Sequence, residues 1–360
     1  MGGDYVAILV LLCFLFRPCY ITMVESIDLN GNLQKNEKNT TLLSPKHFLL
    51  PWRPDIMDDE SKIISHYAMW HTKPGQFYGL RAEMSIWASP NIENSQESGA
   101  SIQIYCQDGG HYNLIQAGFH ISPSLYHNRD IHFFTYCTKD LRSKGCYNSQ
   151  CGGFVPASGA KLVPGQAIAP ASIYDVQDHY ITLSVNKDPY SGDWVVYRHD
   201  LETPSFLGHF PRGLCPETPR IQALTGFVNY LKNARGPPMG SGHFPDYDEK
   251  KSAYFNHIKN YDVSGQAVDP FLSGMVKLVD KKNCYDANDL FLIFKKGFTF
   301  NYGGPVERKS MEADMDELQT SFGRLEVDDE MDAGKSAEEL AAENEEMADE
   351  EEHFAVYLGV

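Results

Sequence analysis

The chain has no Cys-x-x-Cys pair, no His-Glu-x-x-His and no Gly-x-Ser-x-Gly. These gaps remove the common zinc clusters, the helix-borne zinc peptidases and the nucleophile elbow of α/β-hydrolases. The 13 histidines are scattered without a ligand spacing, so nothing points to a metal or a cofactor. Basic charge is scarce as well: 31 Lys and Arg against 48 Asp and Glu leave a net charge of -17. The deficit is local, because the stretch from Val306 onward holds 19 acidic and 4 basic residues, which accounts for -15 of it. The first 305 residues are close to balance at -2, without the basic field that nucleic-acid binding requires. Helix-length periodicity is nearly absent between His66 and Pro305, and no internal repeat is present.

Long apolar runs are also missing. Val6 to Phe16 is too short to cross a bilayer as a helix but suits a signal-peptide core. Residues 1–24 are therefore expected to be a signal peptide, and the mature chain to be secreted and free of the membrane. Removing them takes Cys13 and Cys19 and leaves six cysteines, an even number that suits an oxidising compartment. Residues 25–65 are polar and read as a linker or activation-like segment, with Asn39 in Asn39-Thr40-Thr41 as a glycosylation acceptor. Residues 306–360 form an acidic tail in which like charges repel, so disorder or a solvated helix is expected there.

Short alternating segments divided by Gly and Pro fill residues 66–305. With 20 Phe and 20 Tyr to bury, they predict an all-β fold, an antiparallel sandwich or barrel. Strands are expected near 76–85, 101–106, 111–121, 131–138, 179–186, 193–199, 220–230, 253–261 and 275–279. In the third of these, Ile115, Ala117, Phe119 and Ile121 make a core face, while Leu114, Gln116, Gly118 and His120 share the other. Gln116 is an uncharged amide in the middle of that second face, and Gly118 beside it allows a close approach to the backbone. Trp194 alternates as a core residue of a hairpin strand, and Met239 to Pro245 reads as a tight turn.

The order of several motifs carries a resemblance. Ala117-Gly118-Phe119, Phe134-Thr135-Tyr136, Gly145-Cys146-Tyr147-Asn148 with Cys151-Gly152-Gly153-Phe154-Val155, Gly192-Asp193-Trp194, Met239-Gly240-Ser241-Gly242-His243-Phe244-Pro245 and Tyr302-Gly303-Gly304-Pro305 follow one another. In this order they resemble the neprosin family, the plant glutamic peptidases that cut after proline. The resemblance covers about residues 66 to 305. It implies secretion, an N-terminal activation segment, and two antiparallel sheets with a cleft on one face. It also implies a pair of glutamates across that cleft, one taking a proton from the attacking water and the other supporting charge on oxygen.

The family's Ile-Glu-Ala-Gly-Trp is matched here by Ile115-Gln116-Ala117-Gly118-Phe119. Its Glu-Trp-Gly-Gly-Glu-Val is matched, on the last glycine and valine, by Ala223-Leu224-Thr225-Gly226-Phe227-Val228. The two dyad positions are thus Gln116 and Ala223. An amide can still orient water, but a methyl group can neither accept a proton nor bind water. His120, on the face of Gln116, and Glu83, as a substitute acid, are the further cleft candidates. Cys137 stands where the family has tryptophan, and the cysteine that follows Gly-Gly-Pro is missing. The resemblance favours a Cys146–Cys151 disulfide, while Cys106, Cys137, Cys215 and Cys284 allow three pairings or free thiols.

Three functions follow as expectations. The chain is a secreted neprosin-like domain that has lost its chemistry and keeps a cleft for a peptide or protein containing proline. Alternatively, it is a working prolyl endopeptidase using Gln116 with a displaced acid. The third reading is a sandwich that binds carbohydrate or cell-wall material.

Overall fold

Period-two alternation governs the elements that form. The computed structural model describes residues 63–108, 111–139, 141, 145–216 and 219–305. Residues 1–24, read as a signal peptide, Asn39 and residues 306–360 lie outside the described residues. In chain order the strands are β1 (Ile63–Thr72), β2 (Gly79–Ser85), β3 (Gln96–Asp108), β4 (His111–Ile121), β5 (His132–Thr138) and the short β6 (Cys146–Tyr147). There follow β7 (Val155–Pro156), β8 (Tyr180–Lys187), β9 (Trp194–Arg198), β10 (Ser205–Phe210), β11 (Pro219–Leu231) and β12 (Ala253–Tyr261). The last are β13 (Ala267–Val268), β14 (Met275–Val279), β15 (Asp286–Ala287), β16 (Phe291–Ile293) and β17 (Gly297–Gly303). A single helical turn, α1 (Pro123–Tyr126), follows β4.

These strands make two antiparallel sheets, as predicted. The first is seven-stranded in the order β14-β1-β11-β3-β4-β5-β6. The second is ten-stranded, running β15-β17-β12-β2-β8-β9-β10-β7 with β13 and β16 as side branches. One core lies between them. The seven-stranded sheet contributes Ile102 and Ile104 from β3, Ile115 and Phe119 from β4, and Leu224 and Val228 from β11. The other contributes Leu80 and Met84 from β2, Leu183 and Val185 from β8, and Trp194 and Val196 from β9. Trp194 is fully buried, so the hairpin reading of that tryptophan is correct.

β1 starts at Ile63, inside the stretch read as linker, and pairs with β11 and β14. It escaped notice because its middle is buried on both faces, which blurs the alternation. Gly118 answers to a different neighbour from the one expected. A Cβ there would meet the Ala100 carbonyl oxygen at 2.1 Å and the Ser101 Cα at 2.6 Å, so it is the adjacent strand that approaches. The Met239 to Pro245 run is the expected tight turn, with Gly240 and Gly242 at φ +62° and +78°. The Ser241 hydroxyl there donates to the Lys251 carbonyl at 2.8 Å.

Two disulfides lie among the described residues. Cys146 is bonded to Cys151 as expected, and Cys106 to Cys215, which selects one of the open pairings. The Cys137 thiol is buried, and burial pushes its pKa up to about 11, so it is a poor nucleophile at neutral pH.

Candidate active-site face

The seven-stranded sheet has a second face, away from the core, and Gln116 and Ala223, the positions matched to the family's glutamates, sit on it. Register places them in one row: His71 opposite Ala223, Ala223 opposite Gln103, Gln103 opposite Gln116, and Gln116 opposite Tyr136. One strand, β3, separates Gln116 from Ala223, so their backbones lie on the order of 10 Å apart at the usual strand spacing. Long side chains at the two positions could meet above Gln103. As the chain stands, a carboxamide and a methyl group occupy them. Burial on this face is complete at Met69, Ser101, Gln103, Gln116, Ala223 and Thr225.

Two of these side chains are only half satisfied. The Gln116 amide nitrogen donates to the Ser101 hydroxyl at 2.7 Å, which leaves its oxygen without a hydrogen-bond partner. Gln103 accepts from the Tyr105 hydroxyl at 2.8 Å, and its amide nitrogen has no acceptor. Each unmet group costs about 1–3 kcal/mol when buried. Together they offer one donor and one acceptor on adjacent strands. A backbone amide of another chain is the complementary unit, with a carbonyl for Gln103 and an N–H for Gln116.

His120 lies on the same face, further along β4. Its Nε2 is 2.9 Å from the Tyr126 hydroxyl, and its ring stacks on Phe134 at 4.2 Å between centroids. Tyr126 stacks in turn on His132 at 3.8 Å. These rings make an aromatic wall beside the dyad row. His71 closes the row at its other end. Burial holds its pKa below the ordinary value, although the Thr72 carbonyl bonded to Nδ1 pulls it back up.

Glu83 does not join them. β2 pairs with β8 and β12 in the ten-stranded sheet, where Ala82 and Met84 point to the core and Glu83 to the opposite outer surface. The whole core separates it from Gln116. Glu83 is nevertheless perturbed: burial, then the charges of Glu249 and Asp178, push its pKa from 4.5 to about 7. The folded state therefore keeps a proton that the unfolded chain releases near 4.5. The stability this contributes is full below that pH and is lost as pH climbs to about 7. Glu83→Gln is expected to leave the melting temperature nearly unchanged at pH 4 and to raise it by a few degrees at pH 8. Equal shifts at both pH values would contradict this assignment.

Glu97 is the acid that sequence reading passed over. It stands on β3, on the face of Gln103, and accepts from the Ser122 hydroxyl at 2.6 Å and from the Asn229 amide at 3.1 Å. Six residues of extended chain place it on the order of 20 Å from Gln103. Starting the strand at Gln96 and not at Ser101 would have revealed its place in the alternation.

The fold defines the class: a two-sheet antiparallel β-sandwich domain, with Gln116 and Ala223 in one row of an outer face. A family model described as Neprosin matches residues 94–305, more than half of the 360-residue chain. The chain belongs to the neprosin family. Among solved structures, a scytalido-glutamic peptidase with a peptide-based transition-state analogue is similar, with 13% identity and a TM-score of 0.35. The match covers 67% of this chain and 98% of that one. A second is SCP-B, a member of the eqolisin family of peptidases in complex with the tripeptide Ala-Ile-His. It has 13% identity, a TM-score of 0.34 and the same coverage.

Proposed function

We propose that this protein is a secreted neprosin-family domain that holds a proline-containing peptide segment on the outer face of the seven-stranded sheet and does not hydrolyse it. The observation that carries the reading is the row itself. At the two positions matched to the family's glutamates stand Gln116 and Ala223, and a donor on Gln103 and an acceptor on Gln116, both fully buried in the untrimmed chain, lack a hydrogen-bond partner and match a peptide unit. General acid–base help is worth typically ~10²–10⁴-fold in rate, and neither an amide nor a methyl group provides it near neutral or acid pH.

Among the described residues a displaced acid finds little support. Glu83 is on the far side of the core, and Glu97 is remote along the sheet and engaged by Ser122 and Asn229. Secretion accords with the two disulfides, which suit an oxidising compartment. The resemblance implies an activation segment, so the test uses protein trimmed ahead of β1. Calorimetric titration with a proline-rich peptide is expected to show saturable binding. Gln103→Ala and Gln116→Ala should each weaken it by roughly tenfold, as the loss of one buried hydrogen bond would. Binding that ignores both substitutions would defeat the proposal.

A further inference from the structure

The other outer surface, on the ten-stranded sheet, carries a cavity of about 510 Å³. Its floor follows from register. Asn186 on β8, Val195 on β9 and His209 on β10 form one row, and Tyr197 and Phe206 face each other in the next. All five alternate outward, away from Val185, Trp194 and Val196 in the core. The Tyr197 and Phe206 rings lie 5.2 Å apart and are tilted by 42°, which makes an angled aromatic surface. Tyr190 stands at the rim with 98% of its surface exposed.

The walls are two turns that are tied down from within. Asp188 accepts from the backbone and hydroxyl of Ser191 and from the Tyr190 backbone. Asp262 accepts from Ser264 and from the Gln266 backbone. Gly265, at φ +77°, supplies the left-handed backbone of the second turn, which lies against Pro189 of the first. The cavity is thus formed in advance of any ligand, and its volume falls in the range of small-ligand sites.

Its chemistry narrows the ligand. No lysine or arginine lines it among the described residues, so nothing favours an anion. The carboxylates are engaged by their own framework: Asp188 holds its turn, and Asp193 accepts from the Arg212 backbone at 2.9 Å. What faces the space is aromatic surface with a mixture of donors and acceptors: the His209 imidazole, the Asn186 amide, and tyrosine and serine hydroxyls. A ring that carries hydroxyls at its edge and C–H groups on its face matches both features. We infer that this cavity is a binding site for a neutral saccharide, a short run of hexose or pentose units stacked on Tyr197 and Phe206, separate from the Gln116 face.

The test titrates the full chain calorimetrically with cellohexaose, xylohexaose and mannohexaose, and in parallel with spermine and a trimethyl-lysine peptide. At least one neutral oligosaccharide is expected to saturate. Tyr197→Ala and Phe206→Ala should each weaken it by roughly tenfold, as the loss of a stacked ring would. Tyr190→Ala, at a fully exposed position where folding is not at stake, should weaken it severalfold, and Gln116→Ala should change nothing. The inference is overturned if no neutral oligosaccharide saturates, if only the cationic probes bind, or if all three ring variants bind as the wild type does.

Discussion

Incubated at acid pH with a proline-containing peptide, the protein trimmed ahead of β1 is expected to leave the peptide intact, and Gln116→Glu combined with Ala223→Glu to start its hydrolysis. The expected gain is ~10²–10⁴-fold over the wild-type background, the usual worth of general acid–base help. One restored carboxylate takes a proton from water as the water oxygen bonds to the carbonyl carbon. That proton then passes to the leaving nitrogen as the C–N bond breaks. Two acids placed about 10 Å apart at the backbone, on strands flanking β3, also separate each other's pKa values, so that one is protonated while the other is not. Ala223→Glu alone should recover part of the gain, because Gln116 can still orient the water. Wild-type cleavage that disappears in Gln116→Ala would end the claim of lost chemistry. Melting curves of the Glu variants check that the new carboxylates leave the fold standing.

The second large effect concerns stability. Cys106 and Cys215 are 109 residues apart in sequence, whereas Cys146 and Cys151 are 5 apart. A link across a longer stretch restrains the unfolded chain more. Cys106→Ala with Cys215→Ala should cost about 4–5 kcal/mol, against about 2 kcal/mol for the short pair. At about 2–4 °C per kcal/mol, the long pair corresponds to a fall in melting temperature of roughly 8–20 °C. The site of the bond adds to the expectation. Cys106 lies near the end of β3 and Cys215 in the approach to β11, so the bond fastens together the two strands that carry Gln103 and Ala223. A larger loss from the short pair than from the long one would refute this ranking.

Alternation within single strands was readable in advance, and pairing between strands was not. β4, β12 and β14 fall where the pattern and the flanking turns placed them, at His111–Ile121, Ala253–Tyr261 and Met275–Val279. β1, β10 and β17 were passed over for local reasons. β1 and β17 are buried on both faces along much of their length, and β10 is interrupted by a register shift before Gly208. At the site, the position of Gln116 off the core face was legible from period two, and Ala223 was matched to it through the family motif alone. That β3 inserts Gln103 between them was not, because sheet order depends on contacts remote in sequence. Glu83 shows the same limit: its alternation was read correctly, yet β2 turned out to belong to the other sheet.

Carboxamides neither gain nor lose a proton as their surroundings turn sour, so the pair Gln103 and Gln116 would hold a guest as firmly in an acidic exudate as in a neutral one. A pair of carboxylates would titrate over that range, and a pair of carboxamides does not.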